Sequence, residues 1–152
     1  MSEFVWTDLA VRRALSLRMD IVEPDVAFTG ISTDSRQIEE GHLYVALAGE
    51  RFDGHDFVAD AVSKGASGAV VSRQPTSQTE TKLYPVDDTL VALGSLASHR
   101  REQLKAQVVA ITGSSGKTTT KDLTAAALSS SKRVHATQGN LNNRIGMPLT
   151  LL

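Results

Sequence analysis

The stretch Ile111-Thr112-Gly113-Ser114-Ser115-Gly116-Lys117-Thr118-Thr119-Thr120 carries the residue types needed to hold a chain of phosphates. Gly113 and Gly116 let the backbone turn tightly and approach an anion. The Ala/Leu-rich run from Lys121 to Ser129 is helix-compatible, and a helix start offers free N–H groups and the positive end of its dipole. Lys117 is then placed to reach the β/γ-phosphates, and the Thr118 hydroxyl to hold Mg2+. The general pattern G-x-x-x-x-G-K-[ST] puts its first glycine where this chain has Ile111; what stands here is the shorter T-G-S-S-G-K-T. The plainer alternative is a Gly/Ser turn with a solvated lysine. The apolar run Val108 to Ile111 ahead of the loop and the helical run behind it favour the phosphate reading.

Other segments hold polar groups in numbers. Gly139 to Gly146 contains Asn140, Asn142, Asn143 and Arg144, able to hydrogen-bond a phosphate or a polar substrate, or simply to form an Asn/Gly turn. Ser32 to Arg36 ends a strand candidate with hydroxyls, a carboxylate and a guanidinium; the competing reading is an Asp-capped turn with a surface Asp34–Arg36 pair. Gly49 to Asp56 mixes Glu50, Arg51, Asp53, His55 and Asp56, which reads as a solvated loop rather than a metal site. His42, His99 and His135 are scattered, and spacing supports no Ser-His-Asp arrangement.

The elements that must position these residues are legible in outline. Thr7 can cap a first helix carrying Leu9, Ala10, Arg13, Ala14 and Leu17. Strands are expected over 28–33, 43–47, 69–71 and 83–86, the last at a sheet edge because of Pro85. Asp56 can cap a helix through Phe57, Val58, Ala61 and Val62 that Gly65 stops. Asp88 or Thr89 can open a long helix with Leu90, Leu93, Leu96, Ala97 and Leu104 on one face. A domain boundary is placed near 105–107. A β-α-β unit follows, with strands over 108–112 and 133–137, a helix over 117–130, and the phosphate loop at the carboxyl end of its first strand.

Hydrophobic content of 41% and charged content of 22% are globular values. A net charge of −1 gives no bulk attraction to nucleic acid or an acidic membrane. The absence of cysteine excludes disulfides, thiolate metal sites and a cysteine nucleophile. The N-terminus lacks a signal-peptide core, and no run approaches the ~18 apolar residues of a membrane span. A soluble intracellular protein is expected. Met147 to Leu152 looks like a helix beginning, and two strands with one helix cannot enclose a nucleotide-binding core, so the chain is expected to be the N-terminal piece of a longer one.

Taken in order, S-T-D-S-R (32–36), L-Y-V-A-L-A-G-E-R-F-D-G-H-D-F (43–57), V-A-I-T-G-S-S-G-K-T-T-T-K (109–121) and G-N-L-N-N-R-I-G-M-P-L-T-L-L (139–152) resemble the Mur ligases. The resemblance covers essentially the whole chain, and the family's phosphate loop, shared with folylpolyglutamate synthetases, is itself the shorter form. G-N-L-N-N-x-I-G-x-P is similar to the members that add D-alanyl-D-alanine to UDP-N-acetylmuramoyl-tripeptide, rather than to those that add the third peptide residue. The resemblance implies an α/β fold: a small α/β UDP-substrate domain over 1–106, then, over 107–152, the beginning of a P-loop parallel-sheet ATP-binding domain. It implies a cytoplasmic, monomeric ligase of peptidoglycan precursors without nucleic-acid or membrane partners. Such a ligase uses ATP and Mg2+ to form an amide bond through an acyl phosphate.

Residue by residue, the resemblance implies that Gly113, Ser114, Ser115, Gly116, Lys117, Thr118 and Thr119 bind ATP. Lys117 and Thr118 are then catalytic, with Thr118 ligating Mg2+. Thr33, Asp34, Ser35 and Arg36 form one wall of a uridine-nucleotide pocket, and Gly49, Arg51, Phe52 and Asp53 the other. Asn140, Asn142 and Asn143 line the junction of ATP and acyl substrate. The family's further magnesium ligands, modified lysine, adenine pocket and third domain would lie beyond Leu152, so the piece alone is expected to be inactive. Three other readings stand beside this one: a ligase adding the third peptide residue, a non-catalytic UDP-sugar-binding module, and an unrelated P-loop kinase or NTPase. The last leaves 32–36 and 43–57 unexplained.

Overall fold

A computed structural model of the chain describes residues 4–19, 25–49, 52–77, 79–139, 141 and 143–152. Trp6–Thr7 (β1) pairs antiparallel with Ala27–Phe28 (β2). Between them runs Asp8–Ala14 (α1), whose Ala10 N–H donates to the Thr7 hydroxyl at 3.3 Å, the cap expected from the sequence. The strand expected over 28–33 is interrupted at Thr29, where the chain leaves β2 and enters a different sheet as Gly30–Ser32 (β3).

That second sheet is parallel. His42–Val45 (β4), Gly68–Val71 (β5) and Lys82–Pro85 (β6) follow β3, and the spatial order β3-β4-β5-β6 is the order in sequence. Pro85 sits on the edge strand, where its missing N–H interrupts no inner ladder. Side chains alternate across the sheet with the pleat. Leu43, Val45, Val70 and Tyr84 enter one buried cluster with Trp6, Val11, Phe28, Leu93 and Leu96. Tyr44, Ala46, Ala69 and Val71 enter the other with Ile38, Val58 and Ala61. Burial on both faces is why β4 and β5 read as unbroken apolar runs.

The first face is covered by α1 and by Thr89–Gln103 (α3), which Asp88 opens by accepting from Leu90 N–H at 2.7 Å and Val91 N–H at 3.1 Å. The second is covered by the 3-10 turn Ser35–Gln37 and by Val58–Ser63 (α2). The helix expected to start at Asp56 is preceded instead by a 3-10 turn, Gly54–Phe57, capped by Asp53. Gly65 ends the segment with φ +110.

One carboxylate lies inside the first layer. Asp8 accepts the Tyr84 O–H at 2.6 Å and Arg12 Nε at 3.0 and 3.2 Å. Lys82 Nζ stands 2.8 Å from Asp8 Oδ1 as an ion pair rather than a well-directed hydrogen bond. Burial alone would raise the Asp8 pKa, but Lys82, Tyr84 and Arg12 together hold it below the ordinary carboxylate range. The Tyr84 phenol is pushed above its ordinary value, first by burial and then by its bond to Asp8.

Lys117–Ser129 (α4) forms as expected, and Gly146–Leu151 (α5) folds back against α3, with Leu149 and Leu152 meeting the first cluster. The strands expected over 108–112 and 133–137 do not form: among the described residues neither segment carries a ladder. A strand is a pairing property, and an apolar run without a neighbouring strand has nothing to pair with. Val109 is accordingly 66% exposed, and α4 buries none of its residues.

Candidate functional site

In a parallel sheet the loops leaving the carboxyl ends of the strands share one edge, the usual place for a ligand. Here that edge gathers 33–36 after β3, 46–49 and 52–57 after β4, and 72–76 after β5. Ser32 Oγ accepts from Asp34 N–H at 3.1 Å. Asp34 caps the turn at Ser35–Gln37 by accepting from Arg36 N–H at 2.9 Å, and the Arg36 guanidinium forks onto the same carboxylate at 2.9 and 2.6 Å. The Asp34 carboxyl is thereby lowered to about 2, the Arg36 side chain contributing more than its backbone N–H. Ser35 is buried, and its carbonyl accepts from Lys64 Nζ at 3.2 Å; Lys64 also pairs with Asp60 at 2.8 Å.

The loop after β4 is fastened from several sides. Gly49 N–H donates to Phe52 O at 2.8 Å and Gly54 N–H to Leu47 O at 2.8 Å. The Tyr44 hydroxyl donates to Gly54 O at 3.1 Å. Asp53 Oδ1 accepts the His55 N–H at 2.9 Å and meets the His55 ring Nδ1 at 2.5 Å. Asp53 Oδ2 accepts from Arg73 Nε at 3.2 Å and Nη2 at 2.7 Å, and that Nη2 also reaches Asp56 at 3.1 Å. The His55 N–H and then Arg73 hold the Asp53 carboxyl well below the usual range. The far ring nitrogen of His55 accepts the Ser72 backbone N–H at 2.9 Å, so its lone pair is spent and Nδ1 carries the proton given to Asp53. Asp53, His55 and Ser72 thus form a Ser-His-Asp constellation that spacing does not announce. The Ser72 hydroxyl lies farther from the ring, at 3.3 Å, than the competing amide, so the constellation binds a loop rather than activating a nucleophile. Tyr44 is raised to about 12, first by burial and then by the charges of Asp34, Asp53 and Asp60. Phe52 stands at the tip of the second loop, 73% exposed.

The second group surrounds the start of α4. Gly116 takes φ +73, a left-handed conformation, immediately before Lys117, and no side chain caps the helix. The first-turn N–H groups, including those of Thr118 and Thr119, are therefore left to an external acceptor. Ser114 and Ser115 form the exposed bend, and Lys117 Nζ folds back to donate to Gly113 O at 2.5 Å. Lys121, a residue the sequence motif contains without assigning it a task, donates to Thr137 O at 2.6 Å and Gly139 O at 3.0 Å, tying α4 to the Asn-rich loop. Asn143 Oδ1 accepts from Ile145 and Gly146 N–H at 3.1 and 2.7 Å, so what it keeps for a ligand is its NH2 group. Arg51, Asn140 and Asn142 lie outside the described residues. Sequence reasoning puts His55 in a solvated loop, whereas the structure buries it at 1% exposed, and it overlooks Arg73; the available signal was that Ser72 and Arg73 directly follow an apolar strand.

Residues 27–101 match the Mur ligase family catalytic domain and residues 111–152 the Mur ligase middle domain. A UDP-N-acetylmuramoyl-tripeptide–D-alanyl-D-alanine ligase of Escherichia coli (strain K12) is 48% identical over 128 residues, which cover 84% of this chain and 28% of that protein. A crystal structure of MurF from Acinetobacter baumannii superposes with a TM-score of 0.85 at 41% identity, over 97% of this chain and 33% of that one. MurF ligase from Thermotoga maritima in complex with ADP superposes with a TM-score of 0.72 at 36% identity, over 80% of this chain and 28% of that one. The chain therefore spans about a third or less of the length of the proteins it resembles.

Proposed function

Because this chain belongs to the Mur ligase family, we propose that it forms part of an ATP-dependent ligase that joins D-alanyl-D-alanine to UDP-N-acetylmuramoyl-tripeptide. Residues 1–106 would serve as the unit that receives the UDP end of the substrate, and 107–152 would contribute the phosphate loop of the ATP-binding unit. The observation that carries the reading is the uncapped start of α4 behind a left-handed Gly116, with Lys117 folded over the loop.

The chemistry asked of such a site is activation of a carboxylate. A carboxylate oxygen of the tripeptide attacks the γ-phosphorus and ADP leaves. The amine of D-alanyl-D-alanine then attacks the acyl carbon, phosphate departs, and the amine gives up its proton. The chain's own task is positioning and charge neutralisation. The N–H groups of 113–119 cradle phosphate oxygens. Lys117 exchanges the neutral Gly113 carbonyl for a phosphate oxygen, a stronger acceptor because it is charged. The Thr118 hydroxyl fits Mg2+ as one hard oxygen ligand beside phosphate and water; the ion would supply charge neutralisation at the β- and γ-phosphates. Asn143 and the neighbouring Asn140 and Asn142 would meet the acyl substrate through amide groups.

Thr33, Asp34, Ser35 and Arg36 after β3, with Gly49, Arg51, Phe52 and Asp53 after β4, would form the uridine-nucleotide pocket at the carboxyl edge of the sheet. A monomer acting in the cytoplasm, where ATP and UDP-linked precursors occur, is part of the same proposal. Among the described residues no helix is long and apolar enough to cross a membrane.

The test is Lys117→Ala in the full-length enzyme. Turnover is expected to fall by about 100-fold or more, while calorimetry finds the UDP-substrate affinity unchanged. A mutant turning over at the parental rate would remove the phosphate loop from the reaction. Phosphate release by residues 1–152 alone that depends on D-alanyl-D-alanine would show that the remainder of the protein is not needed.

A further inference from the structure

Phe52 projects an aromatic ring into solvent from a short turn, while the residues just behind it are held by an unusual density of bonds. His55 is 1% exposed and cannot meet a ligand. The Asp53 carboxylate already takes two donors on each oxygen, from His55 and from Arg73, which fills its acceptor capacity. The pair is tied across the sheet edge: Arg73 bonds Asp53 and Ser72 bonds His55 from directly after β5, whereas Asp53 and His55 follow β4. Arg73 also reaches Asp56, which accepts the Thr76 hydroxyl at 3.1 Å, so the clamp grips both sides of the 3-10 turn.

We propose that His55 and Arg73, acting through Asp53, are positioning residues that lock Phe52 and Asp53 onto the end of β5 and thereby set affinity for the uridine-nucleotide end of the substrate without touching it. This rests on the reading of that turn as a wall of the substrate pocket. It also reassigns Asp53, which the family resemblance places in the wall, to holding the wall in place. A ligand that needs an ordered loop binds more weakly in proportion to the fraction of time the loop is ordered. With the clamp cut, a turn competent ~10% of the time raises KM about 10-fold. The phosphate loop lies on other elements, so ATP binding and the chemical step are spared.

The experiment uses the full-length enzyme with Arg73→Met, Arg73→Lys, His55→Gln and Phe52→Ala. Arg73→Met and His55→Gln are expected to raise KM for the UDP substrate about 10-fold, with kcat at saturation and KM for ATP unchanged. Arg73→Lys, which keeps charge but not the fork, falls between. Amide exchange over 48–57 quickens in Arg73→Met while the melting temperature stays near the parent's. Should His55→Gln fail to fold, the half-exposed Arg73 carries the test. If Phe52→Ala raises KM while Arg73→Met leaves it unchanged, the lock is overturned and the wall stands. If Phe52→Ala leaves KM unchanged, the wall reading fails and the lock with it.

Discussion

Tyr84→Phe removes one oxygen from the centre of the first core cluster and leaves the ring in place. The ring packs at 6.1 Å from Phe28, and Gly68 lies beneath both rings. No cavity large enough to add a packing penalty opens, so the cost isolates the hydroxyl's bond to Asp8. A hydrogen bond to a charged group contributes roughly 1.5–3 kcal/mol. Asp8 keeps Arg12 and Lys82 as partners, so the lower end applies, about 1.5–2 kcal/mol. The assay is urea denaturation of the 152-residue chain followed by fluorescence of its single tryptophan, Trp6, which lies in the same cluster. With a slope of ~2 kcal/mol per molar urea, the midpoint falls by ~0.8–1 M at unchanged slope. In an Asp8→Ala background the same substitution costs less than about 0.5 kcal/mol, because the bond is already gone. A midpoint shift below ~0.2 M in the parent background, or an equal shift in both, refutes the account of Asp8 as the group that binds the core to α1.

Two further predictions follow from the same structure. Gly65→Ala places a β-carbon at φ +110 with Glu40 Cα only 2.9 Å away, so backbone must move, and a loss of ~2 kcal/mol or more is expected in the same titration; a loss under ~0.5 kcal/mol would contradict the geometry. Asp8 and Asp34 have depressed pKa values, Asp34 falling to about 2, so the unfolded chain binds more protons than the folded one at pH values below the ordinary carboxylate range. Their contribution is complete above the ordinary value of 3.8 and is lost as pH falls below it, for Asp34 down toward about 2, with the exposed Asp34–Arg36 part shrinking in high salt. A urea midpoint that rises on going from pH 5 to pH 3 would reverse the sign and overturn the assignment.

The features legible in the residues were those decided locally or by a strong pattern. Thr7 and Asp88 cap helices because a side-chain oxygen and an N–H a few residues on suffice. Val45, Ala69 and Val70 mark buried parallel strands because both faces of the sheet are covered. Gly116 is readable because a left-handed turn before a helix restricts the residue type. What stayed hidden depends on distant partners. Asp53 and Asp56 are equally able to cap a turn, and the neighbouring His55, together with Arg73 arriving from the end of β5, settles on Asp53. Val108 to Ile111 has the composition of a strand, yet a strand exists only against a neighbour. The phosphate loop is visible as a motif; the use of Lys121 to couple it to Gly139 is visible only in space.

The strand order β3-β4-β5-β6 repeats the order of synthesis. Each new strand therefore meets an edge already built from the segment translated just before it, and every closure in the sheet is short. Such an arrangement can grow by accretion as the chain leaves the ribosome, with no early strand waiting unpaired for a late one. By the time Gly113 to Thr118 emerges, the whole edge from Thr33 to Arg73 has had its partners available. The carboxyl edge of the sheet is thus free to mature ahead of the loop before α4.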